Sequence, residues 1–203
     1  MAEPSELKNI VEAALLAAGR PLTVDAIQAL FHEIECPEKG LLREVLTELA
    51  DDYQGRGIEV TEVASGWRIQ VREACSPWVS RLWDERPARY SRALMETLAL
   101  VAYRQPVTRG EIEEVRGVSV SSSIMKTLQE RDWIKIVGHR EVPGRPALYA
   151  TTRAFLDYFN LKSLSELPPL AAPRDLDAIG ADLDRRIAVP SSDSTTSTES
   201  PDD

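Results

Sequence analysis

The sequence predicts a mainly helical α+β protein made of two copies of one unit. Twice along the chain, segments with apolar residues at helical spacing are followed by segments that alternate apolar and polar residues, as half-buried strands do. A proline with a threonine two residues later also occurs twice, as Pro21/Thr23 and Pro106/Thr108, 85 residues apart. Three short helices and a hairpin outline a winged-helix domain, so we expect two such domains in tandem.

The composition allows two small domains and excludes several classes of protein. The chain has 203 residues, 43% of them hydrophobic, but no apolar run reaches the roughly 18 residues of a membrane span. No basic region precedes an apolar stretch at the N-terminus, so we expect no signal peptide. The two cysteines, Cys36 and Cys75, lack metal-binding spacing and fit a reducing cytosol. These features predict a cytoplasmic protein without a membrane partner.

The net charge argues against a simple nucleic-acid binder. The formal charge is −9, and residues 171–203 contribute three arginines and eight acidic residues to it. Basic side chains supply most of the affinity for phosphate backbones, and an acidic fold lacks them. From Ala188 onward the sequence is mostly Ser, Thr, Pro and acidic residues, too poor in apolar surface to fold. We therefore expect a disordered acidic tail over residues 171–203, with a transient helix near 174–187 as an alternative for that part.

The first domain is expected over residues 1–86. Its first helix begins after Ser5, a plausible cap, and stops at Gly19-Arg20-Pro21. Further helices are expected over residues 24–33, with Ile27, Leu30 and Phe31 facing the core, and 38–54, with Leu41, Leu42, Val45, Leu46 and Leu49 facing it. A hairpin of residues 58–63 and 67–72 and a short helix opened by Ser76-Pro77 follow. The third helix carries five acidic residues against two basic ones, so this copy is not expected to read DNA.

The second domain is expected over residues 87–170. An apolar helix stops at Gln105-Pro106, because proline cannot continue a helix. Thr108 and Glu111 have the spacing of a capping box for the next helix, and Gly117 can end it. The remaining elements are predicted as a helix from Ser119 to Arg131, strands at 134–137 and 147–151, a wing tip at 139–146 and a closing helix around 155–159.

Catalytic and cofactor sites have little support in the sequence. No glycine-rich phosphate loop is present, and His32 and His139 lie in different predicted domains without neighbouring ligand residues. Ser121-Ser122-Ser123 is typical of a helix start. We therefore expect no catalytic, cofactor or metal site, and a protein that is not an enzyme.

The runs ETLALVAYRQPVTRGEIEEVRGV at 96–118 and VPGRPALYATTRAFLDYFNLKSLSELP at 142–168 closely resemble the segregation and condensation protein B (ScpB) family. The resemblance covers roughly residues 5–170. It implies a non-enzymatic adaptor of the bacterial SMC–kleisin complex, which serves chromosome condensation and segregation during cell division. Such proteins pair as homodimers through the N-terminal domain and hold the kleisin ScpA, which bridges the SMC ATPase heads. The resemblance thus implies a cytoplasmic, nucleoid-associated protein that contacts DNA only indirectly or weakly.

Two groups of residues are predicted to form the contacts. The wing tip has two readings: turn chemistry, with Arg145 pairing to Glu141 or Glu111, or a rigid loop that presents a guanidinium to a partner. Around it, the residues predicted to contact the kleisin are Tyr103, Gln105, Arg109, Gly144, Arg145, Pro146 and Tyr149. The first helix is apolar over an arc too wide for one small domain to cover, which favours a dimer contact by Leu7, Ile10, Val11 and Ala14.

A winged-helix transcription regulator is the alternative. Lys126 and Arg131 on the third helix of the second domain, with Lys135, Arg140 and Arg145 near the wing, are placed to meet phosphates. Acidic residues interleave with these cations, namely Glu130, Asp132 and Glu141. The two functions therefore differ in the salt dependence that each predicts for binding to duplex DNA.

Overall fold

A computed structural model describes residues 4–32, 36–82 and 90–169. The described residues up to Leu167 belong to one compact unit. We call residues 4–82 the first half and residues 90–167 the second half. The expected domain boundary at residues 86/87 and the expected tail over 171–203 lie outside the described residues.

The first half contains three helices, a hairpin and a short helical segment. These are α1 (Pro4–Ala18), α2 (Val24–Gln28), α3 (Lys39–Asp52), β1 (Ile58–Val63), β2 (Gly66–Val71) and α4 (Ser76–Val79), with 3-10 turns at Glu73–Cys75 and Ser80–Leu82. Leu7, Val11 and Leu15 recur every four residues and bury one face of α1. The chain then turns at Gly19, whose φ is +59°, and Thr23 caps α2 by accepting a hydrogen bond from Ala26 N.

Helix α2 is shorter than the predicted 24–33. The amides of Leu30 and Phe31 donate to the carbonyls three residues back, at 3.1 Å each, so tight turns replace the α-helix. Leu30, predicted to face the core, is consequently 57% exposed, and Leu41 at the start of α3 is also partly exposed. The other predicted core residues of α2 and α3 are buried or, like Phe31, packed against the core. The observed core comprises Leu7, Val11, Leu15, Leu22, Ile27, Leu42, Val45, Leu46, Leu49, Tyr53 and Val60.

The second half repeats this order. Its elements are α5 (Arg92–Arg104), β3 (Val107–Thr108), α6 (Arg109–Arg116), α7 (Ser122–Glu130), β4 (Ile134–His139), β5 (Ala147–Thr151) and α8 (Arg153–Tyr158), with a 3-10 turn at Leu164–Glu166. The predicted capping box is confirmed: Glu111 N donates to Thr108 Oγ1 at 3.3 Å, and Thr108 N donates to Glu111 Oε2 at 2.8 Å. Gly117, at φ +69°, ends α6 as predicted.

Two features of the second half differ from the sequence prediction. Helix α7 begins at Ser122 rather than Ser119, because the Ser121 hydroxyl accepts from Ile124 N at 3.2 Å and caps the helix. The preceding residue, Val120, is fully buried. Strand β3 was not predicted. It pairs with β5, so the sheet order is β3-β5-β4.

The first half has a smaller equivalent of this pairing. Leu22 forms an isolated antiparallel bridge with Trp67 of β2, through two backbone hydrogen bonds of 2.8 Å. Gly66 lies so close to this bridge that a Cβ built on it would be 2.2 Å from Leu22 O. In both halves, the residue after the proline is therefore tied to the second hairpin strand.

The core of the second half is separate and contains Trp133. The buried residues are Leu94, Leu98, Val101, Ala102, Val107, Ile112, Val120, Met125, Leu128, Trp133, Ile134 and Phe155. The rings of Tyr90, Tyr158 and Phe159 lie within 5.6 Å of the Trp133 ring centre. This aromatic group seals the side of the core next to α8.

A polar contact joins the turn of the first hairpin to the end of α8. Ser65 N donates to Asp157 Oδ1 at 2.9 Å, and Ala64 N donates to Leu161 O at 3.0 Å. Arg68 Nη2 donates to Asp157 O at 2.8 Å. These bonds use backbone groups from both halves, so they fix the turn in a specific position against α8.

Candidate partner-binding surfaces

Gln105, predicted to contact the kleisin, is occupied inside the second half. Its Oε1 accepts from both the N–H and the hydroxyl of Thr151, at 2.7 and 2.9 Å. Its Nε2 donates to Ala102 O at 3.1 Å. The side chain thus ties the end of α5 to the end of β5, and this role needs no partner.

Arg109 is also engaged within the chain. Its Nε contacts Glu113 Oε1 at 3.0 Å, its Nη1 donates to Ser122 Oγ at 3.3 Å, and its Nη2 donates to Val120 O. Val120 N donates to the same Glu113 oxygen at 2.8 Å. This amide and the Arg109 guanidinium hold the pKa of Glu113 below its usual value of 4.5. Arg109 therefore connects the start of α6 to the start of α7.

The two predicted tyrosines are half-buried. Tyr103 lies on the last turn of α5. Tyr149 lies in the central strand β5, opposite Val107 on one side and Ile136 on the other. Its position in the sheet accounts for its partial burial.

The wing tip is a closed turn with an exposed arginine. Gly144 has φ +86° and Arg145 φ +37°, and Arg145 N donates to Val142 O at 2.8 Å. The expected ion pair of the wing is formed by a different residue: Arg140 Nη1 lies 2.7 Å from Glu111 Oε1. Within the described ranges, the exposed side chain of Arg145 makes no ion pair with Glu141 or Glu111. The guanidinium at the tip is thus available to solvent.

A depression of about 420 Å³ lies between the end of α5, α6 and the wing. Arg104, Pro106, Val107, Glu111, Glu114, Val115 and Arg140 line it. None of the seven predicted kleisin contacts lines it, although Tyr103 and Gln105 are adjacent in sequence to lining residues. Val115, which is 45% exposed, was missed because a single apolar residue on a polar helix face gives no periodic signal.

Glu111 is one of the four charged residues that line this depression. The Thr108 backbone N–H is the main cause that holds the pKa of Glu111 below 4.5, and Arg140 adds to it, while desolvation opposes both. One carboxylate thus caps α6 and anchors the wing. The Arg140–Glu111 ion pair thus forms part of the lining, together with Arg104 and Glu114.

The four predicted dimer contacts on α1 fall into two groups. Leu7 and Val11 are 3% and 0% exposed in the core of their own half, which corrects their placement on a free surface. The exposed part of α1 is narrower than expected, because α3 and strand β2 cover the face that carries Leu7 and Val11. Ile10 and Ala14 are half-buried at its edge. Leu16 is the large apolar residue that α1 exposes, at 69%.

A second depression, of about 410 Å³, lies beside Leu16. Its lining comes from the end of α1, the turn that follows and β2: Leu15, Leu16, Gly19, Arg20, Pro21, Arg68, Ile69 and Gln70. This site was not predicted, because strand β2 and the turn after α1 are 47 residues apart in sequence.

Neither histidine lies in a cluster of possible ligands. His32 and His139 are both exposed and lie in different halves. Across residues 4–32, 36–82 and 90–169, no group of three or more His, Cys, Asp or Glu side chains is arranged to hold a metal ion. In the same part of the chain, no helix is long and apolar enough to cross a bilayer.

Residues 9–170 match the protein family described as segregation and condensation complex subunit ScpB. The chain is 56% identical over 182 residues to the segregation and condensation protein B homolog of Coxiella burnetii, covering 90% of this chain and 87% of that protein. It is 47% identical over 167 residues to segregation and condensation protein B of Desulforamulus reducens, covering 81% and 90%.

Two solved structures are also similar in sequence. The crystal structure of ScpB from Mycobacterium tuberculosis is 37% identical, with 79% of this chain and 99% of that chain covered and a TM-score of 0.38. A dimer of the ScpB N-terminal domain complexed with a ScpA peptide is 29% identical, with 37% and 93% covered and a TM-score of 0.33.

Proposed function

Since this chain belongs to the family of segregation and condensation complex subunit ScpB, we propose that it is a non-enzymatic adaptor of a bacterial SMC–kleisin complex. As a homodimer it binds the kleisin ScpA and is linked to the SMC ATPase through that kleisin. It serves chromosome condensation and segregation in the cytoplasm, at the nucleoid. The match over residues 9–170 is the observation that carries the proposal, because it spans both helix–hairpin halves.

The winged-helix description of the two halves is part of this proposal. Each half has three helices followed by an antiparallel hairpin, and in each the residue after the proline pairs with the second hairpin strand. The residue range 1–86 is proposed as the dimerisation domain and 87–170 as the kleisin-binding domain. Two helix–hairpin units suit an adaptor that contacts itself and a partner at separate places.

Complex formation tests the proposal directly. The full chain, mixed with the central fragment of ScpA from the same bacterium, should elute from size exclusion as one complex. Light scattering should give the mass of two copies of this chain and one kleisin fragment. A chain that stays monomeric at micromolar concentration and elutes apart from ScpA would overturn the proposal.

The wing provides a test of the predicted kleisin surface. Arg145 is exposed and makes no ion pair within the described ranges, so Arg145→Glu changes the surface without removing a structural contact. We expect about tenfold weaker binding of the ScpA fragment by isothermal titration. Arg153→Glu, the same charge change on the exposed side of α8, is the matched control and should bind within twofold of the wild type.

The transcription-regulator alternative makes a different prediction. A regulator would bind duplex DNA tightly, with the logarithm of its affinity falling steeply against the logarithm of the salt concentration. The adaptor should bind duplex DNA weakly between 50 and 200 mM salt in a gel-shift titration. Tight, salt-sensitive binding that Lys126→Glu abolishes would favour the regulator.

A further inference from the structure

The relative position of the two halves depends on a small group of hydrogen bonds. The two apolar cores share no residue in the part of the chain that the structure describes. Domains without a common core move relative to each other unless specific bonds hold them. The bonds come from six residues, which we call the latch: Ala64, Ser65 and Arg68 in the first half, and Asp157, Asn160 and Leu161 in the second.

The latch takes its donors from the first half and its acceptors from the second. Ala64 N donates to Leu161 O at 3.0 Å, and Ser65 N donates to Asp157 Oδ1 at 2.9 Å. Arg68 Nη2 donates to Asp157 O at 2.8 Å. The carbonyls at the C-terminus of a helix carry partial negative charge, so the end of α8 is suited to a guanidinium.

Asn160 belongs both to the end of α8 and to the latch. Its φ of +57° is left-handed, a conformation that asparagine tolerates at a helix end. Its N–H donates to Asp157 O at 3.4 Å, and Leu161 N donates to Leu156 O at 2.8 Å, which is the Schellman pattern. Its side-chain oxygen accepts from Arg68 Nη2. The residue that ends the helix therefore also contacts the first half.

Asp157 is unfavourable for the helix that carries it. It lies in the last turn of α8, where the partial negative charge of the helix end opposes a carboxylate, and aspartate has a low helix propensity. The half-buried side chain instead accepts a hydrogen bond from Ser65 N in the other half. A residue that disfavours its own helix while bonding another element indicates a role in that contact.

We infer that Asp157 and Asn160 are positioning residues that hold the second half in one orientation against the first. The latch itself stands apart from the proposed function, and only its consequence for ScpA rests on that function. In the proposed complex, two copies paired through their first halves present two wings to one kleisin. The latch then sets the separation of the two wings, because it fixes each second half relative to its own first half.

Distances between the halves test the latch without any partner. Spin labels are attached at Glu44→Cys on α3 and Gln129→Cys on α7, both exposed positions, in a full-length chain that also carries Cys36→Ser and Cys75→Ser. Electron–electron double resonance gives the distribution of distances between the two labels. Labelled chains are diluted with unlabelled ones, so that only distances within one chain are measured. The distribution should be narrow.

The double variant Asp157→Ala with Asn160→Gly should broaden this distribution, because it removes two of the four bonds of the latch. Amide exchange at Ser65 should become about tenfold faster. Alanine favours a helix and glycine adopts the left-handed conformation, so α8 should stay folded. Asp157→Asn keeps an acceptor for Ser65 N and should leave the distribution narrow. Arg153→Ala, an exposed change at the other end of α8, is the matched control and should also leave it narrow.

Two results would overturn the latch: a narrow distribution in the double variant, or a wild-type distribution that is equally broad. The affinity for the central fragment of ScpA is measured separately by titration. It should fall severalfold in the double variant and stay within about twofold in Asp157→Asn, because halves that are free to move must be ordered on binding. A broad distribution with unchanged affinity would overturn the link between the latch and the wings. A wild type that does not bind ScpA would overturn the proposed function, while the distances would still decide whether the latch exists.

Discussion

The two halves follow the same chain path but hold the turn after the proline in different ways. In the first half, Thr23 accepts a hydrogen bond from Ala26 N, and no carboxylate returns the bond. In the second half, Glu111 occupies the equivalent position and completes the capping box. Helix α2 has five residues and α6 has eight. The reciprocal cap supports a longer helix, because it satisfies two amides at the helix start instead of one.

The two hairpins also differ in the length of their connections and in the contacts that hold them. The first connection is only two residues long and is fixed by the close approach of Gly66 to Leu22. The second is a seven-residue wing held by its own backbone bonds and by the Arg140–Glu111 pair. The first connection thus depends on a close backbone approach, whereas the second adds a side-chain ion pair to its own backbone bonds. The same substitution should therefore change the free energy of unfolding by different amounts in the two hairpins.

The largest difference is expected for alanine at the two hairpin glycines. Gly66→Ala places a Cβ 2.2 Å from Leu22 O, and the residue has φ +130°, so the Leu22–Trp67 bridge must move. We expect a loss of at least about 3 kcal/mol in the free energy of unfolding. Urea unfolding with amide exchange at Leu22 and Trp67 measures it.

Gly144→Ala is the matched control at the wing. Its φ is +86°, but a Cβ there meets nothing within 4 Å. Only the backbone strain of a left-handed alanine remains, about 1 kcal/mol. Equal losses for the two variants would show that close approach does not determine the first hairpin.

The next effect in size is expected at the capping box. Glu111→Ala removes the acceptor for Thr108 N and the partner of Arg140. We expect a loss of about 1.5 kcal/mol in the free energy of unfolding, and a more mobile wing. Glu114→Ala, an exposed acid on the same helix, should change it by less than about 0.5 kcal/mol.

The contribution of Glu111 to stability should depend on pH in a defined direction. The folded-state pKa of Glu111 is lowered, so its contribution to stability is fully present above the unfolded value of 4.5. That contribution is lost as the pH falls through the lower folded pKa. The stability difference between wild type and Glu111→Gln should therefore shrink on acidification below pH 4.5. A difference that grew in acid would contradict the assigned cause.

Side-chain periodicity and capping chemistry predicted most of the local structure. The alternating residues of β1 and β2, the capping box and the end of α6 at Gly117 are each determined by neighbours within a few positions, so the sequence alone specifies them. Strand β3 could not be predicted in this way. Its two residues, Val107 and Thr108, are too few to alternate, and they are a strand only because β5 lies beside them.

The candidate surfaces were predicted less well than the fold. Polar residues near the turn, such as Gln105 and Arg109, were expected to face a partner. Instead Gln105 accepts hydrogen bonds from Thr151, and Arg109 donates to Val120 O, so their partners lie on other elements of the same half. Leu7 and Val11 were expected at a dimer contact because α1 is apolar over a wide arc. The sequence does not show that other elements of the same half cover these two residues. A single sequence does not show whether the hydrogen-bond partner of a polar residue lies in the same chain or in another protein.

A smaller effect is expected at the contact between the halves. Arg68→Ala removes the bonds to Asp157 O and to Asn160. We expect a loss of about 1 kcal/mol, with faster amide exchange at Ala64 and Ser65, whose N–H groups donate across the contact. Arg56→Ala, at an exposed position of the same half, is the control. Unchanged exchange at both amides would show that Arg68 does not hold the halves together.

The smallest effect should come from giving the first half the cap that it lacks. Ala26→Glu places a carboxylate three residues after the N-cap Thr23, the spacing of Thr108 and Glu111. The new bond to Thr23 N should raise the free energy of unfolding by about 0.5 kcal/mol above pH 5. Ala26→Lys has a side chain of similar reach without an acceptor and should give no gain. Because the gain requires the ionised carboxylate, it should vanish in acid, and urea titrations at pH 7 and pH 3 measure both values. If Ala26→Glu and Ala26→Lys were equally stable at pH 7, the missing carboxylate would not explain why the first half has the shorter helix.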